Sequence, residues 1–145
     1  MPSKRKSKRL KPNPAGYSSR PLKDKLGIKE GAAIAILEAP ANYASLVGIE
    51  RFDTELDLDS YDFLHFFTAS AIGLGHVFPV LAKRLKMDGM LWISWPKLSS
   101  KVETDLSENV VRAIGLANGL VDVKVAAVDD VWSGLKFIYR LSDRA

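Results

Sequence analysis

The stretch Leu120-Val121-Asp122-Val123-Lys124-Val125-Ala126-Ala127-Val128 is followed, after four residues and Ser133-Gly134, by Leu135-Lys136-Phe137-Ile138-Tyr139-Arg140-Leu141. Both runs read as strands, and the connector between them is too short for a helix. They must therefore form an antiparallel hairpin. Upstream, the pattern is different. Residues 32–37 and 63–67 are continuous apolar runs of the kind buried on both faces of a parallel sheet. Residues 90–95 form a third run, stopped by Pro96. Between these runs lie helical segments: a short one at 41–47 closed by Gly48, a long one at 69–86, and one that starts near Asp105.

Asp105 with Glu108 reads as a capping box for the last helix, whose buried stripe is Leu106, Val110, Ile114 and Ala117. In the long helix Leu74, Val77, Phe78, Leu81 and Leu85 share a face. Pro79 is expected to kink it or to start its regular part. Lys83, Arg84 and Lys86 suit its C-terminal dipole. Asp88-Gly89 reads as a tight turn into the third strand. The acidic stretch 49–61 reads as a surface connection, with a short edge strand near Leu56. Pro21 to Gly27 reads as a helical turn. Strands alternating with helices imply parallel crossovers and a three-layer α/β sandwich of about five strands.

Of 145 residues, 21 are Lys or Arg and 17 are Asp or Glu. Lys4, Arg5, Lys6, Lys8, Arg9 and Lys11 all lie in residues 1–14, which contain no acid. The rest of the chain therefore holds 15 bases against 17 acids. We expect residues 1–14 to be a disordered basic tail, open to weak non-specific contact with nucleic acid, and residues 15–145 to be one domain. The body offers no basic run in its sequence. With no cysteine, disulfides, thiolate metal sites and a cysteine nucleophile are excluded. No apolar run approaches the ~20 residues that span a bilayer, and the basic N-terminus has no apolar signal core. A cytoplasmic protein with no membrane partner is expected.

The hairpin ending resembles that of class I methyltransferase-like Rossmann folds, which implies the strand order 1-2-3-5-4. Tyr61-Asp62-Phe63 through Gly89-Met90-Leu91-Trp92-Ile93 resembles the second half of such a methyltransferase. That family cradles S-adenosylmethionine in a glycine-rich loop after the first strand. Here the position reads Leu37-Glu38-Ala39-Pro40-Ala41-Asn42-Tyr43, with no glycine. Asp53, Glu55 and Asp57 stand roughly where the family's ribose-binding acid would. Other words are similar to a small bacterial family known only as a domain of unknown function, over most of residues 16–141. They are Ala15-Gly16-Tyr17-Ser18, Pro21-Leu22, Lys25-Leu26-Gly27-Ile28, Trp92-Ile93-Ser94-Trp95-Pro96-Lys97 and Val128-Asp129-Asp130-Val131-Trp132-Ser133-Gly134-Leu135-Lys136. That resemblance implies no activity and no site residues.

Ligand sites of α/β proteins sit at the carboxyl ends of their strands. The topology puts Glu38, Trp95, Lys97, Ser99, Ser100, Lys101, Asp129, Asp130, Trp132, Ser133 and Lys136 on that rim. Lys97, Ser99, Ser100, Lys101, Asp129, Asp130, Trp132 and Ser133 are the candidate ligand-binding residues. The lysines suit an anionic group and the indoles a flat one. Each also has a structural reading: turn formers, a packed indole, a solvated lysine. No catalytic residue and no metal ligand is assigned. Asp129-Asp130 lacks a third metal ligand. His65 lies mid-strand and reads as a buried, hydrogen-bonded residue; His76 reads as exposed. The missing glycine favours a non-catalytic Rossmann-like module, without a cofactor, that binds a small polar ligand or a protein partner at the rim. The alternative is an S-adenosylmethionine-dependent methyltransferase with an atypical cofactor loop.

Overall fold

Residues 20–144 are described by a computed structural model; residues 1–19, with the basic tail and the Ala15-Gly16-Tyr17-Ser18 word, lie outside it. Five strands form one sheet in the order β1-β2-β3-β5-β4. They are β1 (Ile34–Leu37), β2 (Tyr61–Phe67), β3 (Leu85–Pro96), β4 (Leu120–Ala127) and β5 (Trp132–Tyr139). β1, β2 and β3 run parallel. β5 is antiparallel to both β3 and β4. This is the expected α/β architecture and strand order.

Side chains alternate across the pleat and feed two cores. Leu64, Phe66, Leu91, Ile93, Leu135 and Phe137 pack beneath α3 (Ala71–Arg84) and α4 (Glu108–Ala117). Phe63, Phe67 and Trp92 pack on the other face beneath α1 (Leu22–Leu26) and α2 (Tyr43–Val47). α4 approaches β5 closely because position 115 is glycine: a β-carbon there would fall 2.0 Å from the Phe137 ring. On the opposite face the Trp92 indole N–H donates to the Leu26 carbonyl at 2.8 Å, fixing α1 against the sheet. Among the described residues no helix is long and apolar enough to cross a membrane.

Several local expectations change. β3 begins at Leu85, not Met90, and Asp88-Gly89 is no tight turn. Tyr61 pairs with Leu85 and Phe63 with Met90, so Lys86–Gly89 are taken up in a bulge within the strand. Asp62 holds that bulge. Its carboxylate accepts the Ala33 N–H at 2.8 Å and pairs with Lys86 at 3.2 Å. Lys86 thus leaves the helix dipole for an ion pair, and Leu85 caps α3 instead of extending it. α3 passes through Pro79 as one helix.

The cap of α4 is Ser107, which accepts the Val110 N–H. Asp105 instead serves the start of α3, where Ser70 is the N-cap and Asp105 accepts the Ala71 N–H at 2.8 Å. The reason is proximity across the fold: Thr104 donates to the Ala69 carbonyl and draws this segment onto the start of α3. The buried stripe of α4 centres on Val111 and Gly115, and Ala117 is exposed. Finally, the edge of β1 is met at Asp53, not near Leu56, by a single parallel bridge.

Candidate functional site

The carboxyl ends of β1, β2 and β3 and the β4–β5 hairpin share one edge of the sheet. At the hairpin, the Asp129 carboxylate accepts the N–H groups of Val131 and Trp132, both at 2.8 Å. This is an Asx-type turn, the role that Asp takes when it shapes backbone. After β3, the Lys97 N–H donates to the Val131 carbonyl at 2.7 Å. The Ser100 hydroxyl donates to the Lys97 carbonyl at 2.7 Å and accepts the Val102 N–H at 3.2 Å. It thereby closes a short 3-10 turn that ends on left-handed Lys101, at φ 62°. Ser99, Lys101 and Asp130 are exposed.

The two rim indoles separate. Trp95 and Trp132 occupy adjacent registers, Trp95 opposite Ser133 and Pro96 opposite Trp132. The pleat therefore sends them to opposite faces. Trp95 is buried in the core under α3 and α4. Trp132 is half-buried and meets Phe67 edge-on, ring centres 5.1 Å apart, in the other core. Lys97 and Ser133 are brought together in a pocket of about 370 Å³ with Leu98, Thr104, Ser107 and Glu108. Ser99, Lys101, Asp129, Asp130 and Trp132 do not line it. Lys136 is not at the rim; it lies mid-strand in β5, opposite Trp92.

The exit of β1 differs. Glu38 is left-handed, at φ 57°, a conformation that costs a non-glycine residue roughly 1–2 kcal/mol. Alongside, Asp53 behaves as a one-residue strand: its N–H donates to the Ile34 carbonyl and its carbonyl accepts the Ile36 N–H, both at 2.8 Å. The Asp53 carboxylate is engaged by the Tyr61 hydroxyl at 2.5 Å. Between Glu38 and the segment 52–54 opens a pocket of about 380 Å³, lined also by Ile36, Pro40, Tyr43, Phe52 and Thr54. Glu38 was on the expected rim. Nothing in the residue pattern marks its backbone angle, and so nothing in it marks the pocket.

Behind this pocket lies a buried polar chain. The Tyr43 hydroxyl is 2.8 Å from His65 Nδ1, and His65 Nε2 is 2.7 Å from the Ser94 hydroxyl. His65 and Ser94 are fully buried, as the sequence suggested for His65. Desolvation drives the His65 pKa down to about 3 and raises that of Tyr43. The neutral imidazole has one N–H, so one ring nitrogen donates and the other accepts, and both hydroxyls can take the complementary role. The chain joins α2, β2 and β3 and gives the pocket a rigid floor. Sealed from solvent and fully satisfied, it is structural, as expected for a histidine away from a strand end. His76 is exposed on α3.

No family model matches the sequence, and no curated protein sequence matches it either. Solved structures do. A ribosomal protein L11 methylase from Lactobacillus delbrueckii subsp. bulgaricus superposes with a TM-score of 0.52 at 15% identity, over 81% of this chain and 74% of its own. A magnesium protoporphyrin IX methyltransferase from Synechocystis PCC 6803, with bound SAH, gives 0.57 at 11% identity, over 76% and 75%. A precorrin-6y C5,15-methyltransferase from Geobacter metallireducens GS-15 gives 0.54 at 10% identity, over 82% and 86%. At these identities the likeness is one of fold: the chain has the Rossmann-like sheet of the methyltransferases, closed by the same kind of antiparallel hairpin.

Proposed function

We propose that the chain binds S-adenosylmethionine at the exit of β1 and acts as a methyltransferase. The observation that carries this reading is the left-handed Glu38 opening a pocket against the 52–54 segment. The loop after β1 lacks the glycine that the family's cofactor loop carries. Glycine serves such a loop by taking positive φ and letting backbone approach the ligand. Glu38 takes that conformation without being glycine, so the absence of glycine does not count against a cofactor loop here.

The lining fits the ligand's chemistry. S-adenosylmethionine carries a sulfonium and an ammonium, and a carboxylate at the mouth of the pocket complements cationic charge. Ile36, Pro40 and Phe52 offer apolar walls for an adenine ring, and the Thr54 hydroxyl a polar contact. When bound, S-adenosylmethionine supplies an electrophilic methyl group. The chain's own part is to hold it: Glu38 orients the cationic end, the apolar walls exclude water, and the Tyr43–His65–Ser94 chain keeps the floor from yielding.

A second reading places a small polar ligand or a protein partner at the β3–β5 rim. It is favoured by the pocket that joins Lys97 and Ser133. A thermal-shift panel separates the two. S-adenosylmethionine and S-adenosylhomocysteine at a hundredfold excess over Kd should stabilise the protein by about 2.7 kcal/mol, a rise of several degrees. The shift should shrink in Glu38→Gln and persist in Lys97→Ala. No shift with either compound would sink the methyltransferase reading, and a shift with another ligand abolished by Lys97→Ala would favour the rim.

A further inference from the structure

β4 and β5 place Lys124 directly opposite Lys136. Like charges facing each other across an antiparallel pair are destabilising. α1 adds a third cation to the same spot. Lys124 Nζ donates to the Lys25 carbonyl at 2.8 Å, and Lys25 Nζ reaches the Ala127 carbonyl at 3.5 Å. Lys136 Nζ lies 3.8 Å from where a β-carbon on Gly27 would stand. Burial lowers the Lys25 and Lys136 pKa values, and cationic neighbours lower them further: Lys124, Lys97 and Arg20 act on Lys25, and Lys124 and Lys29 on Lys136.

The cluster is a stripe rather than a point. Lys136 lies four residues along β5 from Trp132 at the rim, ~13 Å at ~3.3 Å per residue. Lys97, although it also borders the pocket beside α4, lies at the rim end close enough for its charge to act on Lys25. The acid of β4, Asp122, is turned away: a register shift between Asp122 and Lys124 sends it to Arg112 of α4 at 2.8 Å. The described chain enters this face at Arg20, and the residues before it include six bases within the first eleven positions.

We propose that this face, with Lys25, Lys124 and Lys136 at its centre, binds the phosphate backbone of a nucleic acid. A row of cations on one face matches a linear polyanion, whose binding releases counterions as each phosphate is neutralised. A lipid surface would call for apolar residues beside the cations. Two valines of β4 are half-exposed: Val125 pairs with Leu135, whose side chain packs on the α4 face, and Val123 falls in the register shift between Asp122 and Lys124. The inference is independent of the cofactor reading and uses none of its residues.

The test is fluorescence anisotropy of the full chain with a labelled 20-nucleotide single-stranded RNA between 50 and 200 mM KCl. Each lost contact should lower the slope of log K against log salt by about 0.7. Lys136→Gln alone should show one such step. The triple variant Lys25→Gln, Lys124→Gln, Lys136→Gln should show about three and bind at least tenfold more weakly at 100 mM KCl. Its melting temperature should be unchanged or higher, because repulsion is relieved. The corresponding triple arginine variant should keep binding. The proposal is overturned by an absence of RNA binding at 50 mM KCl. It is equally overturned if Lys136→Gln and the triple glutamine variant keep the wild-type slope, which would assign binding to the N-terminal residues. Binding to vesicles containing phosphatidylserine but not to RNA would overturn it too.

Discussion

At the β3–β5 rim the polar side chains serve the backbone, whereas at the exit of β1 the backbone itself is held in a costly conformation beside open space. Asp129 and Ser100 spend their oxygens on turn N–H and carbonyl groups, and Trp132 spends its ring on Phe67. Glu38 does the reverse. It sits at φ 57° next to a pocket that its neighbours do not fill. Strain of this kind persists only where surrounding structure enforces it, and it concentrates at functional sites. The lesson is that polar and aromatic residues just after a strand mark turns as readily as ligands. The rim has a left-handed residue too, Lys101 at φ 62°, but there it closes a 3-10 turn on the Leu98 carbonyl; at Glu38 the same angle borders open space, a pairing that sequence does not display.

The largest expected effect bears on the rim. Trp132→Ala should destabilise the protein by about 2–3 kcal/mol, below the 3–5 kcal/mol of a fully buried large-to-small change because the indole is half-exposed. Denaturant titration would measure it. A loss under 0.5 kcal/mol, together with lost ligand binding, would return Trp132 to the list of binding residues and erase the contrast.

Next comes pH, which probes the floor beneath the β1 pocket. The folded-state pKa of His65 is depressed to about 3 from 6.5. Above 6.5 the imidazole is neutral in both states and its contribution to stability is intact. Below 6.5 the unfolded chain takes up a proton that the native state refuses, so stability falls by about 1.4 kcal/mol per pH unit until the folded pKa is reached. From pH 7 to pH 5 the loss should be about 2 kcal/mol. Unfolding free energies that are flat over that interval would show that the histidine is not sealed in.

The smallest effect has the opposite sign. Glu38→Gly relieves the left-handed strain and should stabilise the chain by about 1 kcal/mol. Destabilisation by that substitution would mean that Glu38 is held by favourable contacts and that the β1 exit is as well satisfied as the rim.

Much of the fold is legible in the sequence. The β4–β5 connector is too short for a helix, and the apolar runs of β1 and β2 lack alternation; together they dictate a parallel sheet with an antiparallel ending. What sequence could not display are pairings across the fold. Asp105 stands three residues before Glu108 and looks like the cap of α4, but it finds the Ala71 N–H, 34 residues away. Leu85 to Met90 carries exposed polar residues that look like a helix end and a turn, but Asp62 gathers them into a bulge of β3. The body's lysines at 25, 124 and 136 form no run in the chain. A cross-strand pair and a helix end bring them together. Glu38, Lys97 and Ser133 lie at the carboxyl edge of the sheet, a position that strand order alone dictates. The pocket beside Glu38 depends on the bridge between Ala35 and Asp53, which no motif announces.

The most direct measurement is a two-dimensional amide NMR titration with S-adenosylhomocysteine. Shifts should concentrate at residues 36–44 and 52–54, while 97–101 and 129–133 stay in place. Shifts confined to 97–101 and 129–133, or none at saturating ligand, would contradict it.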